Sequence, residues 1–255
     1  MRSLITRIKN VQQGIGTLAD GKPGPSTYNT FEKYLYSEGL VDLRFPYESK
    51  EFGCVTITGK PERLSVKSTK GKHSVSTFPY SMSGSFTYPS GVNPNAIMIN
   101  GGSVIHSYSS HHWAGYPETV LYYTQSGKHG KKLIHNASEL PEDTLWAIGG
   151  YDLNDLTMGE KEGFAKFSKL LNGKTKWFDY RDVYRYTKHN AIGFDKYGNI
   201  VGVFHKACTA ASLQKRCEDI GLVDMIGLDG GSVSAINGGS LKYNTHLKQG
   251  FLIQF

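Results

Sequence analysis

The spacing of apolar residues changes along the chain and divides it into segments of different structure. In residues 1–40, apolar side chains recur at helical spacing on both sides of a dense turn signal at residues 20–25. The first such set is Leu4, Ile8, Val11 and Ile15. We therefore predict a small helical module over residues 1–40, followed by a linker over residues 41–53.

From Cys54 onward the apolar period is two, which is typical of strands with one buried face. Residues 191–204 predict a β-hairpin around a glycine-containing turn. Helical patterns with capping signals occupy residues 157–173 and 209–220. The second helix is predicted to bury Ala210, Leu213, Cys217 and Ile220. Strands interrupted by few helices favour an α+β fold, with a mostly antiparallel or mixed β-sheet domain over residues 54–255.

Several predicted strands end in a polar residue or glycine pair, where the backbone can turn sharply and another group can approach closely. The members are Asp229-Gly230-Gly231-Ser232 after residues 225–228, Asn100-Gly101-Gly102-Ser103 after residues 97–99, and weaker copies at residues 146–150, which end in Gly150, and 236–240. We predict that these strand ends form the walls of one site, with Asp229 and Asn100 beside its opening. On these residues alone, an aspartate before two glycines also fits an ordinary turn whose side chain bonds local N–H groups.

Composition limits the class of protein and the partners that suit it. The 255 residues suffice for one sizeable domain, or a domain and a small module, and the 16 tyrosines and 12 phenylalanines argue against disorder. A net charge of +7 favours anionic partners, with plain solubility as the alternative. Because the lysines are scattered and form no long basic run, we expect no nucleic-acid partner.

The cysteines and the N-terminus suggest where the chain is made. Cys54, Cys208 and Cys217 lack metal-site spacing. We expect Cys208 and Cys217 at opposite ends of one helix, about 13 Å apart, which is too far for a disulfide. Free thiols indicate a reducing compartment, and residues 1–7 lack the apolar core of a signal peptide. We therefore expect synthesis in the cytoplasm without a signal peptide, no membrane segment and no cofactor, while a divalent-metal requirement stays open.

Residues 103–123 are rich in imidazoles and aromatic rings and follow a predicted long loop over residues 80–95. The set includes His106, His111, His112, Trp113 and Tyr116. Adjacent histidines on a strand would point to opposite faces, which disfavours a metal site. A loop that stacks on a sugar, or a purely structural loop, fits the segment better.

The N-terminal module resembles the peptidoglycan-binding module of cell-wall hydrolases, in which a D-G-x-x-G-P-x-T loop joins two helices. The residues that carry the resemblance are Gln12, Asp20, Gly21, Gly24, Pro25, Thr27 and Phe31. The copy is shorter than the usual three-helix module. The alternative is a simple helical hairpin.

Residues 90–245 resemble the phosphodiester glycosidase family, which includes the mannose-6-phosphate uncovering enzyme and bacterial and phage relatives. The carriers are residues 99–102, 146–150, 190–193 with Asp195, Gly198 and Asn199, and 227–232. The sequence departs from the family pattern at two places. His189 stands near the position of an arginine, and Ser232 shortens the glycine run after Asp229.

The resemblance implies cleavage of a sugar C1–O–phosphate bond, which needs a carboxylate near C1 and donors around the phosphate. We predict Asp229 as that carboxylate, acting as nucleophile, base or electrostatic stabiliser, with Asn100 and His189 as further catalytic residues. The predicted substrate-binding residues are Gly101, Gly102, Gly230, Gly231, Ser232, Gly150 and Lys206. Asp152 and Glu118 are the candidates for a second acid, and His205 is predicted to be structural.

The leading hypothesis is therefore a hydrolase, a glycosidase that cuts a phosphodiester-linked sugar. The wall-binding resemblance suggests a bacterial cell-envelope glycan such as teichoic acid as substrate, and a bacteriophage origin, as a virion component or lysis enzyme acting at the cell wall. One alternative is a non-catalytic glycan-binding or structural virion protein on the same fold. Another is an intracellular hydrolase of a small sugar phosphate or nucleotide-like molecule.

Overall fold

The computed structural model describes residues 4–14, 16, 30, 46–85, 95–109, 117–156, 186–243, 246 and 248–255. The chain divides into two compact units, Met1–Phe45 and Pro46–Phe255. The division falls inside the predicted linker, residues 41–53.

The N-terminal unit begins with helix α1 (Leu4–Gly14), as the apolar spacing predicts. Val11, expected on the apolar face of this helix, is 45% exposed, whereas its neighbour Gln12 is 1% exposed. The buried face at this end of α1 therefore includes Gln12, one position along from the apolar residue. The second predicted helix lies outside the described residues except for Thr30, which is helical.

The second unit consists mainly of short strands, with one helix among its described residues. The strands are β1 (Tyr47–Glu51), β2 (Cys54–Gly59), β3 (Ser65–Ser74), β4 (Ser81–Ser83), β5 (Met98–Asn100), β6 (Ser103–His106), β7 (Glu118–Thr124), β8 (His129–Ile134), β9 (Thr144–Asp152), β10 (Thr187–Asp195), β11 (Ile200–Cys208), β12 (Leu222–Gly227), β13 (Ile236–Asn237), β14 (Lys242–Tyr243) and β15 (Lys248–Gln254). Helix α2 (Ala210–Ile220) connects β11 to β12.

These strands form two sheets. The larger has the order β1-β2-β11-β10-β12-β9-β5-β6, with β7 and β8 joined through β9, and the smaller has the order β14-β13-β4-β15-β3. Each pairing between described strands is antiparallel. The predicted α+β class with a mostly antiparallel sheet is confirmed.

The main core lies between the two sheets, and a second core lies under α2. Ile192 and Phe194 of β10 join Met82 and Phe251 of the smaller sheet in the first core. Ala191 points the opposite way, into the core that α2 covers. This alternation follows from the period-two geometry of a strand and gives the larger sheet an inner and an outer face.

Helix α2 and the hairpin before it form as the sequence predicts. The hydroxyl of Thr209 caps the helix by accepting a 3.2 Å hydrogen bond from the N–H of Ser212. Gly221 ends the helix with φ 97°, a left-handed conformation that suits glycine. The predicted inward residues Ala210, Leu213, Cys217 and Ile220 are all buried.

Two predicted irregular segments contain strands. β1 lies in the predicted linker, residues 41–53, and β4 lies in the predicted loop, residues 80–95. Among the described residues β1 pairs with β2 alone, at the edge of the larger sheet, and its polar sequence lacks an apolar period. The predicted helix over residues 157–173 lies outside the described residues.

All three cysteines are free and buried, which confirms the expected free thiols. Cys208 ends β11 and is not part of α2, so the expected placement of two thiols at the ends of one helix is wrong. All three pack in the core that α2 covers. Burial raises the pKa of Cys54 to about 12 and that of Cys208 to about 11.

Within the described residues, no helix combines the length and apolar character needed to cross a membrane.

Candidate active site

Asp229 lies two residues beyond the end of β12, where the chain still runs beside β10. The ladder between these strands continues past Gly227, because the N–H of Leu228 donates a 2.9 Å hydrogen bond to the carbonyl of Asn190. Continuing this register places Asp229 opposite His189, and side chains at such positions have Cβ atoms about 5 Å apart. Two of the predicted catalytic residues therefore come together.

The environment of Asp229 favours its neutral form. The residue is only partly exposed, and burial raises the pKa of its carboxyl to about 7, while a hydrogen bond from the N–H of Gly230 acts in the opposite direction. His189 packs against the same turn, since a Cβ added to Gly230 would lie 3.4 Å from its Nδ1 atom. A carboxyl that titrates near neutral pH is suited to nucleophilic or acid–base chemistry.

Asp229 emerges where the larger sheet is interrupted. Gly227 of β12 lies opposite Tyr151 of β9, and Met98 of β5 lies opposite Ile148 of the same strand. Only two residues of β9 separate those positions. We call this change of pairing partner along β9, from β12 to β5, the interruption of the sheet.

The interruption is built around Gly149 and Gly150. A Cβ on Gly150 would lie 2.4 Å from the carbonyl oxygen of Gly227, and one on Gly149 would lie 2.3 Å from Oε2 of Glu118. Glu118 is 5% exposed, and its Oε2 accepts a 2.9 Å hydrogen bond from the N–H of Ile97, just before β5. A side chain at Gly150 would displace the backbone of β12, and one at Gly149 would displace the Glu118 carboxylate.

Of the two candidates for a second acid, Glu118 is the one at this interruption. Asp152 instead forms an ion pair with Lys131 at 2.6 Å and accepts the N–H of Asn154 at 2.9 Å. Those contacts give Asp152 a structural role at the end of β9.

Asn100 connects the two sheets and does not lie beside Asp229. Its Oδ1 atom accepts a 2.8 Å hydrogen bond from the N–H of Val66 in β3, and Ser65 Oγ donates to the same atom at 3.4 Å. These bonds explain why a polar residue ends β5. Its predicted catalytic role is not supported by this position.

Gly101 and Gly102 form the tight turn between β5 and β6, with φ values of 56° and 78°. The N–H of Gly102 donates to the carbonyl of Leu145 at 2.8 Å. Gly150 lies five positions after Leu145 in β9, a distance of roughly 16 Å along a strand. The structure therefore separates the two predicted site walls.

The remaining predicted binding residues occupy different surroundings. Gly231 begins a short 3₁₀ turn that ends at Val233, and within it Ser232 is exposed beside Asp229. Gly150 is buried, and Lys206 is exposed on β11. Of the aromatic stretch, His106 ends β6, whereas His111, His112, Trp113 and Tyr116 lie outside the described residues.

Sequence reasoning missed the relation of His205 to His189 and to Arg216. His205 pairs with His189 across the hairpin of β10 and β11. Burial, followed by the charge of Arg216 and then that of His189, lowers the pKa of His205. The two histidines lie at equal distances from the hairpin turn, so their pairing could have been predicted. The position of Arg216 depends on how α2 packs and has no local signal.

No group of three or more histidine, cysteine, aspartate or glutamate side chains within the described ranges has an arrangement that could hold a metal ion.

Comparisons with known proteins identify a structural likeness only. No protein-family model matches the chain, and no curated protein matches it by sequence. The catalytic domain of zebrafish N-acetylglucosamine-1-phosphodiester alpha-N-acetylglucosaminidase, auto-inhibited by its pro-peptide, is 12% identical, with a TM-score of 0.53 over 83% of this chain and 81% of that chain. A hypothetical protein from Synechocystis is 11% identical, with a TM-score of 0.46 over 84% of this chain and 60% of that chain. A protein from Burkholderia pseudomallei is 10% identical, with a TM-score of 0.45 over 79% and 73%. The chain therefore has a fold similar to that of the zebrafish glycosidase domain, and at this identity the likeness extends to the fold alone.

Proposed function

We propose that the chain hydrolyses the glycosidic C1–O–P bond of a sugar-1-phosphodiester, with Asp229 as the carboxylate beside C1. One observation carries the proposal. A partly buried aspartate whose pKa is raised to about 7 stands at an interruption of the sheet, in a fold similar to that of an enzyme named for this reaction.

The chemistry requires negative charge near the sugar ring. Glycoside hydrolysis passes through an oxocarbenium-like transition state, which an ionised carboxylate stabilises as nucleophile or by its field. Water adds to C1, and the other half of the substrate leaves as a phosphate monoester, a stable anion, so protonation of the leaving oxygen matters less than in an ordinary glycoside. Asp229 would act in its ionised form.

The neighbours of Asp229 suit separate tasks. The N–H of Gly230 donates to the Asp229 carboxylate, so it orients that group and is not the donor for phosphate. His189, opposite Asp229, is the side chain that would face the phosphate in the place of an arginine. Glu118, held by the N–H of Ile97, is the second carboxyl at the same interruption.

We propose an anionic, phosphate-linked glycan of the bacterial cell envelope as the substrate. The net charge of +7 favours such a polymer. Binding of peptidoglycan by the separate unit Met1–Phe45, and a role in a phage particle, stay predictions from the sequence.

The test is release of sugar from an N-acetylglucosamine-1-phosphate methyl diester and from purified cell walls, each with and without EDTA. We expect release from the diester and none from the methyl glycoside, which lacks phosphate. Release that stops with EDTA and returns with a divalent cation would add a metal to the reaction. Tight binding to walls without release from either substrate would favour the non-catalytic glycan-binding protein.

A further inference from the structure

The turn between β1 and β2 lies beside two cationic side chains. Phe52 and Gly53 form this turn with φ values of 49° and 77°. Arg216 of α2 reaches it and donates through Nη1 to the carbonyl of Phe52. Phe52 is 47% exposed, and Gly53 is also exposed, so the turn is open to solvent.

Two N–H donors meet at Gly53. A Cβ added there would lie 3.2 Å from Nη1 of Arg216 and 3.3 Å from Nε2 of His205. The Nδ1 atom of His205 accepts the N–H of Ala207 at 3.1 Å, so a neutral His205 carries its proton on Nε2. Both nitrogens therefore carry hydrogen atoms beside the exposed Gly53, where no Cβ screens them from an acceptor in solvent.

The charged groups that act on His205 share one sign, and Arg216 forms no ion pair within the described residues. The charged groups that act on His205 are Arg216, His189 and Lys206, all of them cationic or able to become so. Within the same part of the chain, Nε of Arg216 is buried without a hydrogen-bond partner, and no carboxylate forms an ion pair with this guanidinium. The nearby Glu51 accepts a bond from Ser49 Oγ at 2.7 Å. Several cationic groups close together, with no described carboxylate paired to Arg216, favour an anion at this turn.

We propose that Arg216 and His205 bind a phosphate group at the Gly53 turn. A guanidinium offers paired donors that match the oxygens of a phosphate, and the imidazole N–H adds a third donor from another side. The site takes inorganic phosphate or the terminal phosphate of an ester. It is separate from the carboxyl of Asp229, which is two strands from His205, about 10 Å. The proposal does not depend on glycosidase activity.

The test is calorimetric titration of the full chain with inorganic phosphate and, in a second arm, with methyl phosphate. We compare the wild type with Arg216→Met and with Lys215→Met, an exposed neighbour on the same helix that pairs with Asp219 at 2.7 Å. We expect Arg216→Met to raise the Kd at least about tenfold, a change of 1.4 kcal/mol or more. Lys215→Met should stay close to the wild type.

A charge-conserving variant and an NMR signal distinguish a loss of binding from misfolding of the variant. Arg216→Lys keeps the charge but loses the paired donors, so we expect intermediate affinity. Phosphate should shift the His205 ring resonances in the wild type and not in Arg216→Met. Binding of methyl phosphate would identify an esterified ligand, and binding of inorganic phosphate alone would identify the free ion. Equal affinity of wild type and Arg216→Met, or no binding of either compound, would overturn the proposal.

Discussion

Asp229 links the proposed chemistry to the stability of the fold. Burial raises its pKa from 3.8 to about 7, so between these pH values the folded chain holds a proton that the unfolded chain has released. The free energy of unfolding contributed by this group therefore decreases as pH rises from about 4 to 7. We expect Asp229→Asn to be more stable than the wild type at pH 8, by at most about 4 kcal/mol, and equally stable near pH 3.5.

Urea unfolding at the two pH values measures this difference. Asp224→Asn is the matched control, because Asp224 lies in β12 and is also partly exposed. The control should show no comparable gain at pH 8. If Asp229→Asn gave no gain at pH 8, Asp229 would be better solvated than the structure indicates.

The same titration should govern the rate. Because the proposed role of Asp229 needs the ionised carboxylate, we expect kcat/KM for a sugar-1-phosphodiester to rise with pH through a midpoint near 7. Initial rates between pH 5 and 9 test this. A rate that falls through the same midpoint would assign Asp229 the role of general acid.

Asn100 should matter for stability and not for turnover. Asn100→Ala leaves the N–H of Val66, a residue 1% exposed, without its acceptor, at a cost of about 1–3 kcal/mol. Ser65→Ala removes only the 3.4 Å contact to the same oxygen and should change stability little. Urea unfolding and activity per folded molecule separate the two roles. If the variant lost turnover and kept its stability, Asn100 would have a catalytic role instead.

The sequence around Asp229 and that around Asn100 look alike, yet only one of them marks the candidate site. In both, an apolar strand ends at a polar residue followed by two glycines. The difference comes from the partners: Leu228 bonds to Asn190 of β10, whereas Asn100 bonds to Val66 of β3. Those contacts join residues far apart in the chain, so local pattern could not distinguish the two.

At the scale of elements, the close approach of β9 and β12 determines where Asp229 stands. Gly150→Ala would place a Cβ 2.4 Å from the carbonyl oxygen of Gly227, a backbone atom that can move only with β12. We expect a loss of about 1–3 kcal/mol in the free energy of unfolding, together with reduced turnover. Thermal unfolding and initial rates measure both effects.

Gly130→Ala is the control for this substitution. Gly130 lies in β8, and its added Cβ would meet Oη of Tyr122 at 3.4 Å, an ordinary contact. This variant should keep both stability and activity. A Gly150→Ala variant as stable as Gly130→Ala would mean that β9 and β12 are not held as closely as described.

Elements with strong local signals were predictable, and those held by distant partners were not. Helix α2 has a capping threonine, an apolar stripe and Gly221 at its end, and the β10–β11 hairpin has a turn in which Asp195 accepts the N–H of Asn199 at 2.9 Å. By contrast, β1 is polar and β4 has three residues. Both become strands only because β2, β13 and β15 offer pairing edges.

At the scale of the whole molecule, the two-sheet arrangement could not be predicted from the sequence. The pairing of β15 with both β3 and β4 joins the end of the chain to residues 65–83. The interruption likewise requires three strands from separate parts of the chain, β5, β9 and β12, to come together. Contacts of such high sequence separation leave no periodic signal, although the class of fold follows from the strand pattern.

The measurement that tests the central claim most directly is release of N-acetylglucosamine from its 1-phosphate methyl diester at pH 8, by the wild type, Asp229→Asn and Asp224→Asn. We expect release by the wild type and Asp224→Asn and none by Asp229→Asn, which should remain folded. Equal release by wild type and Asp229→Asn would contradict the assignment of Asp229 as the catalytic carboxylate.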